Sequence, residues 1–126
     1  MIDFTNLTKK RRPSLPWEKA KNMILNKSYN LSVVFSDDSL MKKLNKQYRN
    51  KNKPANVLSF PLSKKEGEIF INLSSPRQNT PAKKIAREKD SERVLHLFIH
   101  SLLHLKGFSH SDKMESEEEK FLNKFK

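Results

Sequence analysis

The chain has 126 residues, with 26 Lys/Arg against 14 Asp/Glu, a formal net charge of +12 and no cysteine. That length carries one domain, residues 1–126, around a single core, and the lack of cysteine excludes disulfides and thiolate metal sites. No run approaches the roughly 18 apolar residues of a membrane span and no apolar signal segment opens the chain, so a soluble, cytoplasmic protein without a membrane partner is expected.

The charge is uneven. Residues 1–56 hold 13 Lys/Arg against 4 Asp/Glu, a net of +9, and residues 57–126 hold 13 against 10, a net of +3. A basic half of this kind attracts polyanions by releasing their counterions. A lysine-rich composition with solvated side chains accounts for the same numbers, so charge alone does not establish nucleic-acid binding.

Residues 1–14, with Lys9, Lys10, Arg11 and Arg12 before Pro13, read as a flexible basic arm or an irregular lead-in. Pro16 suits the first turn of a helix whose apolar face is Trp17, Ala20, Met23 and Ile24. Asn26 to Asn30 is a break, and Leu31 to Phe35 a short β-rich strand. Ser36 or Asp37 caps a helix with Leu40, Leu44 and Tyr48 at helical spacing, and Arg49 lies at its end. A polar loop closed by Pro54 leads to a strand over Val57–Pro61, where the proline points to a sheet edge or a strand terminus. A turn from Ser63 to Gly67, a strand over Glu68–Asn72 and a helix from Thr80-Pro81 to about Lys89 follow. Asp90 or Ser91 starts a helix rich in histidine. Asp112 with Glu115 resembles a capping box for a last helix, with Met114, Phe121, Leu122 and Phe125 inward and its glutamates solvated. The order predicts an α/β (α+β) fold, a small mixed β-sheet with packed helices.

All four histidines fall in one segment, HLFIHSLLHLKGFSH, from His96 to His110. Apolar residues on nearly every side of it mark a buried helix. His100 and His104 are one turn apart on the same face. Gly107 ends the helix cheaply in the left-handed conformation, and a chain reversed there can return His110 beside them. Three neutral imidazoles suit zinc and leave a fourth position for water. His96 shares the stripe, but His96, His100 and His104 span about 12 Å of a straight helix, too far to meet at one ion. His96 is therefore read as a supporting or core histidine. The metalloprotease helix H-E-x-x-H carries its general base where this chain has Ser101, so peptidase chemistry lacks its base. Trp17, Phe121 and Phe125 are read as core residues.

HSLLHLKGFSH resembles the H-G-x-L-H-L-x-G-Y-D-H signature of the YbeY endoribonuclease family. A second block, Leu44 to Pro61, is similar to that family's L-N-x-x-Y-R-x-x-x-x-P-T-[DN]-V-L-S-F-P, and Gly67-Glu68-Ile69 to its G-D-I strand. The resemblance covers roughly residues 31–125. It implies one Zn2+ on His100, His104 and His110, and catalytic roles for Arg49 and His100. It also implies single-strand endoribonucleolytic cleavage in small-subunit ribosomal RNA 3′-end maturation and ribosome quality control, with ribosomal RNA and the small ribosomal subunit as partners. Four positions depart from the pattern: Ala55 for threonine, Ser101 for glycine, Phe108 for tyrosine and Ser109 for aspartate. Losing the aspartate removes an acceptor that could hold a ligand imidazole.

Two other readings compete. A zinc-stabilised RNA- or ribosome-binding assembly factor with little turnover would use the same basic face and metal for docking. A metal hydrolase of small molecules or peptides is disfavoured by Ser101 and by the +9 N-terminal half.

Overall fold

The computed structural model describes residues 1–74 and 90–125. Its elements are β1 (Ile2–Asn6), α1 (Trp17–Ile24), β2 (Asn30–Ser36), α2 (Asp38–Arg49), β3 (Val57–Ser63), β4 (Glu66–Asn72), α3 (Asp90–Lys106) and α4 (Asp112–Asn123). The four strands form one mixed sheet in the order β1-β2-β4-β3. β1 and β4 both run parallel to β2, whereas β3 pairs antiparallel with β4 through a tight hairpin. Parallel pairing requires a long crossover, and α1 supplies the one between β1 and β2. The mixed α/β architecture is the expected one.

The register sorts side chains onto two faces. Ile2, Phe4, Leu31, Val33, Phe35, Ile69, Ile71 and Val57 share one face, and Val34, Phe70, Leu58 and Phe60 the other. On the first face α3 packs along β3 and β4, with α1 and α4 against α3. Val94, Phe98, Ile99, Leu102 and Leu103 of α3 are buried there. Trp17 fills the centre, edge-on to Phe98 at 4.8 Å, to Phe4 at 5.5 Å and to Phe35 at 5.6 Å. Trp17 and Phe121 are thus core residues, as expected, and Phe125 packs partly buried against the same cluster. α2 packs against β4. No described helix is long and apolar enough to cross a membrane.

Several local expectations are corrected. The lead-in at residues 1–14 contains β1, and beyond it Lys10 Nζ donates to the Leu73 carbonyl at 2.8 Å while Arg12 lies 3.8 Å over the Phe4 ring. In α1, Met23 is exposed and Lys21 takes the inward position, its ammonium donating to the Tyr29 and Lys27 carbonyls. The inward stripe of α2 centres on Met41 and Asn45, with Leu40 and Leu44 half-buried and Tyr48 exposed. Asp37 caps α2, accepting from the Leu40 N–H. Ser111 rather than Asp112 caps α4, accepting from the Met114 N–H. The strands β3 and β4 run longer than predicted and leave only Lys64-Lys65 as the turn; β3 is the edge strand and holds Pro61 beside its bulge. The helix expected from Thr80 to about Lys89 lies outside the described residues.

Gly67 is fixed by a close approach. A Cβ there would sit 2.3 Å from the Tyr29 hydroxyl and 3.0 Å from a Leu105 methyl, so β4 could not meet the end of α3. Gly67→Ala is expected to destabilise the fold by about 1–3 kcal/mol through overpacking. Urea unfolding should show a lower midpoint at an unchanged slope; a midpoint equal to wild type would mean that Tyr29 gives way freely.

Candidate metal centre

The site is built where α3 ends. Gly107 adopts φ +113°, a conformation any other L-residue would find strained, and the Gly107 and Phe108 N–H groups return to the His104 and Leu103 carbonyls. The chain reverses as predicted and brings His110 back over the last turn. The rings of His100 and His104 lie 4.6 Å apart, with His110 5.2 Å from the first and 4.7 Å from the second. One nitrogen from each lies within 4.8 Å of the others, so the three could hold a metal ion.

The partners of the ring nitrogens fix the tautomers. His104 Nδ1 is 3.0 Å from the Phe108 carbonyl, which only accepts, so Nδ1 carries the proton. His100 Nδ1 is 3.1 Å from Glu118 Oε2 and donates to that carboxylate. In the neutral rings both Nε2 atoms then present lone pairs, and they face each other at 3.1 Å. Two such lone pairs repel unless a cation or a proton lies between them. A tetrahedral ion with metal–nitrogen bonds of about 2.0–2.1 Å sets its ligand nitrogens about 3.3 Å apart. The His100–His104 pair is already at that spacing, and His110, on the exposed turn, sits wider. The residues fit a metal. His104 is also held below the usual histidine range, first by burial and then by the neighbouring His100, with His110 and Arg49 adding to the effect and the Phe108 carbonyl opposing it. At neutral pH it is the unprotonated imidazole a metal requires.

Glu118 was not foreseen. The glutamates of α4 were expected to face solvent, yet Glu118 is 8% exposed and accepts from both His96 and His100. Burial pushes its pKa up, but the hydrogen bonds from His100 and His96 outweigh this and hold it at about 2. Glu118 is therefore ionised throughout the neutral range. His96 bears out the supporting role, because it braces the carboxylate that orients His100. A signal was available: residue 118 lies four after Met114 and three before Phe121, on the inward stripe of α4.

Three of the departures acquire a physical account. Ser101 is fully buried, and its hydroxyl donates to the Leu97 carbonyl at 2.9 Å, so it is satisfied within the helix and offers no base. At Phe108 the carbonyl holds His104, a contact the side chain does not control, while the ring packs against the core. The acceptor feared lost with the aspartate at position 109 is supplied by that carbonyl and by Glu118; Ser109 itself is exposed. Both oxygens of Glu118 are engaged by His96 and His100.

Between α3 and α4 lies an open cleft of about 670 Å³ whose walls include His96, His100, His110 and Glu118. Arg49 is not in this cleft. It is exposed at the end of α2, and its charge reaches His104 without a hydrogen bond to it among the described contacts. The segment behind Arg49 is pinned at two points. Asn45 Nδ2 donates to the Lys53 carbonyl at 2.9 Å, and buried Asn72 donates to Ala55 O at 3.1 Å and to Asp38 Oδ1 at 2.7 Å.

Comparison with known proteins identifies the family. The family model described as endoribonuclease YbeY matches residues 6–126. A curated protein of Aliarcobacter butzleri named endoribonuclease YbeY is 36% identical over 135 residues, covering 100% of this chain and 93% of the relative. Its namesake in Ehrlichia ruminantium is 40% identical over 104 residues, covering 75% of this chain; there the chain spans only 64% of the relative's length. A solution structure of a Thermotoga maritima protein superposes with a TM-score of 0.61 at 23% identity, over 99% of this chain and 89% of that one, a likeness of fold. With its histidine triad closed by Gly107 and its match over nearly the whole sequence, this chain belongs to the endoribonuclease YbeY family.

Proposed function

We propose that the protein is a zinc-dependent endoribonuclease that cuts single-stranded RNA in the cytoplasm, in maturation of the 3′ end of small-subunit ribosomal RNA and in ribosome quality control. The observation that carries this reading is the pair of Nε2 lone pairs aimed at each other at 3.1 Å, on rings fixed by Phe108 and Glu118, within the field of Arg49. Membership of the family supports the choice of RNA, and the basic half of the chain supports a polyanionic substrate.

His100, His104 and His110 would hold the ion, which when bound supplies Lewis-acid charge and lowers the pKa of a water at its open position. The chain supplies the rest. Arg49 offers a planar, two-pronged guanidinium that clamps two oxygens of the scissile phosphate and offsets charge that builds there. His100 is read as both ligand and catalytic residue. Its Nδ1–H is tied to ionised Glu118, so positive charge that develops on the ring is met by a fixed carboxylate. The partners are ribosomal RNA and the small ribosomal subunit.

The test is cleavage of a labelled RNA by protein of measured metal content. Protein holding about one zinc per chain is expected to cut single-stranded RNA and spare a duplex. His104→Ala should hold no zinc and cut nothing. Product ends identify the attacking group, since a 2′,3′-cyclic phosphate, or the 2′- and 3′-phosphates it opens to, means the ribose hydroxyl, and a 5′-phosphate beside a 3′-hydroxyl means water. RNA that is bound but never cut by the zinc-loaded protein would overturn the nuclease reading in favour of a binding factor.

A further inference from the structure

We propose that Tyr48 and Phe60 form a stacking platform for one nucleobase of the strand whose phosphate Arg49 holds. The inference rests on the RNA reading above and adds a binding site to it. Tyr48 occupies a position in the apolar stripe of α2 yet is 59% exposed. Its ring is not loose. It sits edge-on to Phe60 at 5.0 Å and 61°, and Phe60 in turn sits edge-on to Phe70 at 5.8 Å and 84°. Three rings thus run from the α2 face of the sheet out to solvent, the inner two half-buried and the outermost largely bare. Leu62, two residues after Phe60, is 63% exposed and extends the apolar patch along β3. An aromatic ring held by its neighbours loses little freedom when a flat ligand covers it, since only two side-chain torsions are involved.

Charge decides which flat ligand that is. From Ser39 to Lys65 the chain holds eight Lys/Arg and no Asp/Glu. Lys46, Arg49, Lys51 and Lys53 are all exposed around the end of α2. A bare aromatic face inside a field of cations, with Glu68 opposite Phe60 on β4 as a carboxylate on the same sheet face, matches a polyanion that carries flat rings. Single-stranded nucleic acid has that chemistry, and a duplex does not, because its bases are already stacked on each other. The pinning of the 50–56 loop by Asn45 and Asn72 keeps the basic groups in register with the ring. Tyr48 and Arg49 are both exposed in the last turn of α2, about 100° apart around its axis, so a strand that wraps this helix end meets the ring and the clamp in turn.

The experiment measures binding of a fluorescein-labelled single-stranded 2′-O-methyl oligonucleotide, checked to be intact after the measurement, to the full chain by anisotropy. Tyr48→Ala is expected to raise Kd roughly 5- to 150-fold, the usual effect of removing one stacked base. Tyr48→Phe should bind like wild type. The slope of log Kd against log salt should stay the same in Tyr48→Ala, since no phosphate contact is lost, whereas Lys51→Ala should flatten it. An oligonucleotide with one abasic position at the contacted nucleotide should bind wild type and Tyr48→Ala equally well. Equal affinity of Tyr48→Ala and wild type for the intact oligonucleotide overturns the platform, even if wild type still cuts RNA. Loss of binding in Tyr48→Phe as large as in Tyr48→Ala overturns it too, because the hydroxyl would then be the contact. Tyr48-dependent binding without any cleavage would sustain the platform and remove the nuclease reading alone. Tyr48-dependent capture of an acidic peptide, with no RNA bound, would overturn both.

Discussion

Arg49→Gln is expected to slow single-turnover RNA cleavage by roughly 10²- to 10³-fold, the loss seen when one charge-stabilising donor is removed from a transition state. The residue lies at the surface at the end of α2, where a substitution disturbs no packing. Metal content should therefore stay at the wild-type level, and thermal unfolding should be nearly unchanged. Arg49→Lys tests the geometry: an ammonium keeps the charge but cannot match two phosphate oxygens at once, so a defect of similar direction is expected. The measurement uses protein in excess over labelled RNA, so that release of product does not mask the chemical step. Unaltered cleavage in both variants would leave Arg49 as a cation that complements the negative end of the α2 dipole and nothing more.

The second large effect is expected at Glu118, a residue that touches no metal. Its carboxylate holds His100 Nδ1 at 3.1 Å and is braced on the other side by His96. Glu118→Ala frees His100 to rotate and to place its proton on either nitrogen. Removing such an orienting partner weakens metal binding by roughly 10- to 100-fold. Competition with a chelator of known affinity gives the number. Nitrogen-15 spectra of the metal-free protein give an independent reading, since His100 should change from a single tautomer to a mixture. Retention of one tautomer and of full metal affinity would show that helix packing alone positions the ring. Glu118→Gln separates the two contributions, because the amide can still accept from one imidazole but carries no charge.

What could be read from the sequence divides along the distance between partners. The histidine triad was legible because its parts are local: i, i+4 on one helix, then a glycine that turns the chain. The edge character of β3 was legible from Pro61. Glu118 was hidden among neighbouring glutamates, and only the crossing of α3 and α4 decides which of them points inward. β1 was hidden by the basic cluster that follows it, since the alternation of Ile2 and Phe4 is too short to stand out. Tyr48 shares the helical spacing of Leu40 and Leu44, and its exposure depends on where α2 lies over the sheet. Strand order and pairing carry no local signal at all.

The placement of the site's parts along the chain has a consequence for the order in which activity is acquired. His100, His104, His110 and Glu118 all come from two consecutive helices, and the longest of their hydrogen-bonded links spans 18 residues. A helical hairpin of that kind forms from near-neighbour contacts, on the fast side of folding. Arg49 belongs to α2, and its charge is brought within reach of His104 only through a sheet in which β2, β4 and β3 have to be assembled first, with parallel pairing as the slow step. Ion capture is thus expected early in maturation of the chain and phosphate capture late.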